Sequence, residues 1–213
     1  MIGWRMGVLG AALALASTTA QAQDRLRTDR PEIAVGVLDH GVRWLAGVPA
    51  EYAFSEGLEE RHTVDVQLAY RTKPIRVALK PRLTAKLQVN TGGRTSFASI
   101  GAEWRQHVLR DRLYGQIGIG LTVHDGYVNA VDPFAYPAGS DEFQRRYRVY
   151  ATRTSFGSPV LLNPNMSVGL RVNRRWAVEA TWEHFSHNQW FAEQNPGIDT
   201  FGVRLVRTLG RRR

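Results

Sequence analysis

The chain has 213 residues, no cysteine, and 28 Lys and Arg against 19 Asp and Glu, for a formal net charge of +9. The lack of cysteine excludes disulfides, thiol catalysis and cysteine-ligated zinc, so packing or a membrane must hold the fold. The basic balance suits an anionic surface, but outside Arg211-Arg212-Arg213 the positive residues are dispersed and form no compact patch for reading nucleic acid.

The N-terminus reads as an export signal. Arg5 supplies a positive flank, Met6–Ala16 is an uncharged run of 11 residues, and Ala20-Gln21-Ala22 offers small residues at a cleavage site. That run is too short to span a bilayer as a helix, which needs about 20 residues. Residues 1–22 are therefore expected to be a signal peptide and residues 23–213 the working domain, the alternative being an uncleaved anchor. No later segment approaches the length of a transmembrane helix.

The remainder of the chain is dominated by period two. A short apolar strand is expected near Ile33–Leu38. Val64, Val66, Leu68 and Tyr70 then alternate with Asp65, Gln67 and Ala69. From Val77 to Val89 the odd positions are mostly aliphatic and the even ones mostly polar, which predicts one strand of 13 residues. Ile100, Ala102 and Trp104 continue the pattern, as do Leu113 and Ile117 to Val123 with Tyr114, Gln116, Gly118, Gly120 and Thr122 between them. Asp125–Phe156 carries Pro133, Pro137 and Gly139 and reads as a long excursion whose Phe143–Tyr150 part is helical or strand-like. Alternation resumes over Val160–Val172, Trp176–Glu183 and Phe201–Leu205. Lys73-Pro74, Asn90–Gly93 and Asn173-Arg174 read as turns.

This makes eight strands, several long enough for the roughly 9–11 residues that a tilted strand needs to cross a bilayer. The predicted fold is all-β, an eight-stranded antiparallel transmembrane β-barrel, apolar outside and polar within. Side chains fill an interior of that size, and Glu, Lys and Arg on the inner faces are placed to pair there. A soluble, lipocalin-like barrel shares the pattern with its apolar face turned inward. Strand length, flanking Trp and Tyr, and the charges along the polar faces favour the membrane form.

No G-x-S-x-G elbow, Walker loop or H-E-x-x-H helix is present. Chemistry concentrates in Glu183–Asp199. On the strand from Trp176, His184 and Ser186 share one face, with Cα atoms about 6.6 Å apart, close enough for a Ser–His hydrogen bond. Asp199 has the parity of Phe201, Val203 and Leu205, so matching the apolar faces places it opposite or diagonal to His184 and Ser186. A serine, a base and an orienting carboxylate then converge from two neighbouring strands. They do so on the face turned to lipid, where an embedded acyl ester has access. His184 and His187, three apart, face opposite ways and make a poor metal pair. His40, His62, His107 and His124 read as ordinary loop or surface residues, Trp176, Trp182 and Trp190 as interfacial anchors, and Gly197 as a turn residue after Pro196.

The elements His184-Phe185-Ser186 and Asn195-Pro196-Gly197-Ile198-Asp199 resemble the outer-membrane lipid A 3-O-deacylases of PagL type. The likeness is strongest over Arg174–Leu205, with further likeness at Phe156-Gly157-Ser158 and Val37–Gly41. It implies an outer-membrane serine esterase with Ser186 as nucleophile, His184 as base and Asp199 as orienting acid, a position where the family also uses Glu. The family's oxyanion-stabilising Asn directly follows the serine. Here His187 stands there and Asn188 one place later, so both are candidates for oxyanion stabilisation or positioning. The implied partners are the lipid A of lipopolysaccharide and the outer membrane, with a homodimer allowed, and neither nucleic acid, metal nor cofactor is expected. A non-catalytic structural or partner-binding barrel is the alternative.

Overall fold

The computed structural model describes residues 29–42, 60–187 and 196–210. Among the described residues nine strands follow one another: β1 Glu32–His40, β2 Thr63–Arg71, β3 Arg82–Asn90, β4 Phe97–Val108, β5 Leu113–His124, β6 Val160–Leu162, β7 Asn165–Arg171, β8 Trp176–Phe185 and β9 Ile198–Thr208, with a helix, α1, over Asp141–Thr152 between β5 and β6. All neighbours pair antiparallel, and β1 pairs with β9, so the sheet closes. The short β6 and β7 both pair with β5 and form one interrupted stave. The result is a closed barrel of eight staves.

Its polarity is inverted relative to a water-soluble core. Val37, Ile117 and Val168 are 59%, 65% and 57% exposed, whereas Arg71, Arg171 and Arg204 are each only 1% exposed. An apolar band outside and charge inside is stable only against hydrocarbon, which settles the membrane form of the barrel over the lipocalin-like one.

The interior charges are matched. Glu179 receives both terminal nitrogens of Arg71 at 2.9 Å, Nε of Arg204 at 3.0 Å and the Tyr114 hydroxyl at 2.6 Å. Glu32 accepts a two-point bond from Arg105 at 2.9 and 2.7 Å and one from Arg171 at 2.8 Å. Ions this deeply buried persist only when their partners are supplied, and here the facing staves supply them.

The structure revises several expectations. The alternation from Val77 is not all strand, because Leu79 and Lys80 have positive φ (62° and 46°) and Lys80 N–H donates to the Val77 carbonyl. A turn occupies this stretch, and β3 begins after Pro81, which has no N–H for the ladder. The Val160–Val172 strand is interrupted at Asn163-Pro164 for the same reason. Of the two readings of Phe143–Tyr150 the helical one holds: it lies within α1, which Ser140 caps by accepting the Phe143 N–H at 3.2 Å. His40 is no surface residue. It lies inside the barrel, hydrogen-bonded to Asp65 at 2.8 Å.

The two barrel ends differ. Connections 72–81, 109–112 and 172–175 join strands at one end, whereas 41–62, 91–96, 125–159 and 186–197 join them at the other, three of these four being long. In bacterial barrels short turns face the periplasm and long loops face outward, which orients the molecule.

Candidate active site

At the loop end, β8 and β9 place two pairs in register. His184 is opposite Asp199, and Phe185 is opposite Ile198. Alternation sends the first pair outward and the second inward. Phe185 stacks face to face on Phe97 at 3.9 Å, and Phe156, Leu161 and Ile198 complete a buried cluster behind the wall. The strand carrying His184 and Ser186 is thus backed by a packed apolar plug that limits its motion.

On the outer side, His184 Nδ1 lies 2.8 Å from Asp199 Oδ1 and Nε2 lies 2.9 Å from Ser186 Oγ. With Nδ1–H donated to the carboxylate, Nε2 is left to accept the serine hydroxyl proton. The Asp199 side chain is 5% exposed and that of His184 29%, so the carboxylate is shielded while the imidazole edge stays accessible. The Asp199 carbonyl accepts the N–H groups of Gly41 and Val42, both at 2.9 Å, which fixes the start of β9 against the end of β1.

Ser186 is pinned from the other side by β6. It donates its N–H to the Leu162 carbonyl at 3.2 Å and accepts the Leu162 N–H at 2.7 Å. Its own N–H is therefore engaged rather than aimed at a substrate. His187 points into the barrel and bonds through Nε2 to the Phe156 carbonyl at 2.7 Å, on the face opposite Ser186 Oγ. Asn188, Trp190 and Asn195 lie outside the described residues.

Three further residues touch the site in ways that the sequence reading did not assign. Asn163 Nδ2 donates to the His184 carbonyl at 3.1 Å from the break between β6 and β7. Trp182, read as an anchor, also lies nearly parallel to the His184 ring at 5.9 Å. Gly197, read as a turn residue, allows a close approach, for a Cβ there would come within 2.7 Å of His184 Cε1.

A groove crosses the outer wall beneath the site. Phe201, Trp182, Met166, Ile117 and Trp104 form one outward row across five strands. The next row contains Ala180, Val168 and Gly115, whose small members leave a trough that reaches Leu79 near the turn end. A Cβ on Gly115 would meet nothing within 4 Å.

The loops above are tied to one carboxylate. Glu60 accepts Thr95 N–H at 2.6 Å, Thr154 N–H at 2.9 Å and Arg153 Nε at 3.1 Å, with His40 Nε2 at 3.6 Å. Burial alone would raise its pKa. The nearby His40 imidazole, the hydrogen bonds from Thr95 and Thr154 and the Arg153 charge outweigh that and hold it at about 2.

The lipid A 3-O-deacylase (PagL) family model matches residues 63–208, which include His184, Ser186 and Asp199. The crystal structure of the outer membrane enzyme PagL superposes with a TM-score of 0.52 at 13% identity, covering 84% of this chain and 99% of that one. Neisserial surface protein A (NspA) gives 0.47 at 10% identity, with 85% and 98% covered. The Yersinia pestis outer membrane protein Ail in a phospholipid bilayer nanodisc gives 0.42 at 9%, with 84% and 98% covered. No curated protein matches the chain by sequence.

Proposed function

This chain belongs to the lipid A 3-O-deacylase (PagL) family, and from that premise we propose that it is an outer-membrane serine esterase releasing the 3-O-linked 3-hydroxyacyl chain of lipid A. The observation that carries the reading is the single imidazole of His184 bridging Ser186 Oγ and Asp199 on the lipid-facing wall. Residues 1–22 serve as the export signal and 23–213 as the barrel.

Ser186 Oγ attacks the ester carbonyl as its proton passes to His184 Nε2, and Asp199 stabilises the imidazolium. The tetrahedral intermediate collapses when His184 returns that proton to the departing sugar oxygen, leaving the acyl group on Ser186. Water, deprotonated by His184, then attacks the acyl-enzyme and frees the 3-hydroxy fatty acid and Ser186. The acyl chain lies in the trough over Ala180 and Gly115, with Trp182 and Phe201 at its upper edge. Oxyanion stabilisation is assigned to Asn188, one place after the position that the family's Asn holds. His187 faces inward and holds the wall to the loop. No cofactor enters.

Mass spectrometry of lipid A from membranes with and without the protein tests this. Loss of one 3-hydroxyacyl chain is expected with the natural chain and none with Ser186→Ala, while both proteins keep the heat-modifiable gel mobility of a folded barrel. Unchanged lipid A with the natural chain, or undiminished release by the variant, would overturn the assignment.

A further inference from the structure

Helix α1 has no buried residue, so it adds nothing to the barrel core. It is nonetheless fixed at its C-terminal end. Arg94 donates to the Thr152 carbonyl at 2.8 Å, and Arg153 reaches the Gly93 carbonyl at 2.9 Å as well as Glu60. A helix held firmly at the loop end of the barrel presents a defined surface there.

That surface has two flanks. Phe143, Tyr147 and Tyr150 recur at helical spacing and make one aromatic stripe. Phe143 stacks on Tyr147 at 5.6 Å, and Phe134 packs edge-on against both Phe143 and Tyr150, at 6.3 and 5.6 Å. Phe134, Tyr147 and Tyr150 remain 65%, 44% and 42% exposed. On the other flank are Arg145, with a side chain 71% exposed, and Arg148. The helix's acidic residues, Asp141 and Glu142, are confined to its first turn, where Glu142 already pairs with Arg145 and Arg146. From Arg145 to Arg153 every charge is positive.

We propose that α1 is an interfacial helix that binds the phosphorylated glycolipid headgroups of the outer leaflet. Its rings lie at the boundary between headgroups and acyl chains, and Arg145 and Arg148 hold phosphate oxygens. Aromatic rings partition to that boundary, and guanidinium groups match phosphate geometry. A second copy of the chain is a poor occupant, since it would bring the same basic flank against this one. The helix's place at the outer leaflet rests on the barrel's orientation and not on the deacylase reading.

Amide hydrogen exchange over residues 141–152 tests it, using the whole protein in phosphatidylcholine vesicles that contain lipid A or lipid A stripped of its phosphates. Phosphate is expected to slow exchange across α1 by about fivefold per engaged arginine. The double variant Arg145→Gln/Arg148→Gln should lose that increment while exchange in β1–β9 stays unchanged, which shows that the barrel is intact. Equal exchange in the two kinds of vesicle overturns the proposal. So does protection that follows the protein-to-lipid ratio instead of phosphate, which would mean that protein self-association covers the helix.

Discussion

His184 and Asp199 are direct register partners across the β8–β9 ladder, and their facing atoms, Nδ1 and Oδ1, stand 2.8 Å apart. In the proposed mechanism the base and its orienting acid are therefore set by sheet geometry rather than by a loop. Asp199→Asn keeps the shape but offers a donor or a weaker acceptor to Nδ1, favouring the wrong tautomer. We expect kcat for ester hydrolysis to fall on the order of 10³–10⁴-fold with KM little changed, measured with lipid A in mixed micelles. Retention of most of the rate would remove Asp199 from the mechanism.

Gly197 sets the distance of closest approach to the imidazole. Gly197→Ala would place a methyl group 2.7 Å from His184 Cε1, so the ring or the β8–β9 connection must move. A displacement near 1 Å costs about 100-fold in rate. Turnover should drop by that order with unfolding midpoints nearly unchanged, and equal turnover by the two proteins would show that the ring has room.

The trough makes a prediction about chain length. Ala180→Trp fills its floor next to Val168 and Gly115. Each methylene kept out of the trough should lower kcat/KM by about fourfold. Rates on esters of increasing acyl length should diverge progressively from those of the natural chain. A uniform loss at all lengths would place the acyl chain elsewhere.

Inside the barrel, Glu179 is the acceptor shared by Arg71, Arg204 and Tyr114. Glu179→Ala leaves two buried guanidinium groups short of a counter-charge, at a cost of roughly 3–5 kcal/mol. Urea unfolding in detergent micelles should show that loss, and a change below about 1 kcal/mol would mean that water or neighbouring Glu residues replace the carboxylate.

Glu60 makes stability at the loop end depend on pH. Its pKa in the folded protein, about 2, lies below the ordinary 4.5. The stabilisation is therefore fully present above about pH 4.5 and is lost as pH falls toward 2. Hydrogen exchange of residues 93–95 and 152–154, corrected for intrinsic rates, should accelerate over that window. Glu60→Gln should show the accelerated rate at every pH, and a pH-independent natural chain would contradict the account.

Much of this architecture is written in alternation. The eight staves, their faces and the outward placement of His184, Ser186 and Asp199 follow from parity, and the resemblance at His184–Ser186 and Asn195–Asp199 supplies the chemistry. Parity alone misleads at Leu79, which is 83% exposed. An exposed turn can carry apolar residues with the parity of a lipid-facing strand, as Val77 and Leu79 do, so only Pro81 marks the boundary. The break at Asn163-Pro164 preserves parity on both sides and is hidden for that reason. Asn163 and Trp182 acquire their roles beside His184 through packing that no local spacing records. His40 resembles a loop residue in sequence because its partners, Asp65 and Glu60, come from the next strand and the loop before it.

The outward aspect of the His184–Ser186–Asp199 wall carries a kinetic consequence. An ester hydrolysed there arrives by lateral diffusion in the plane of the leaflet and not from bulk water. The variable governing its rate is then a mole fraction in two dimensions. Diluting the substrate with inert lipid should slow turnover even when its total amount in the vessel is held constant.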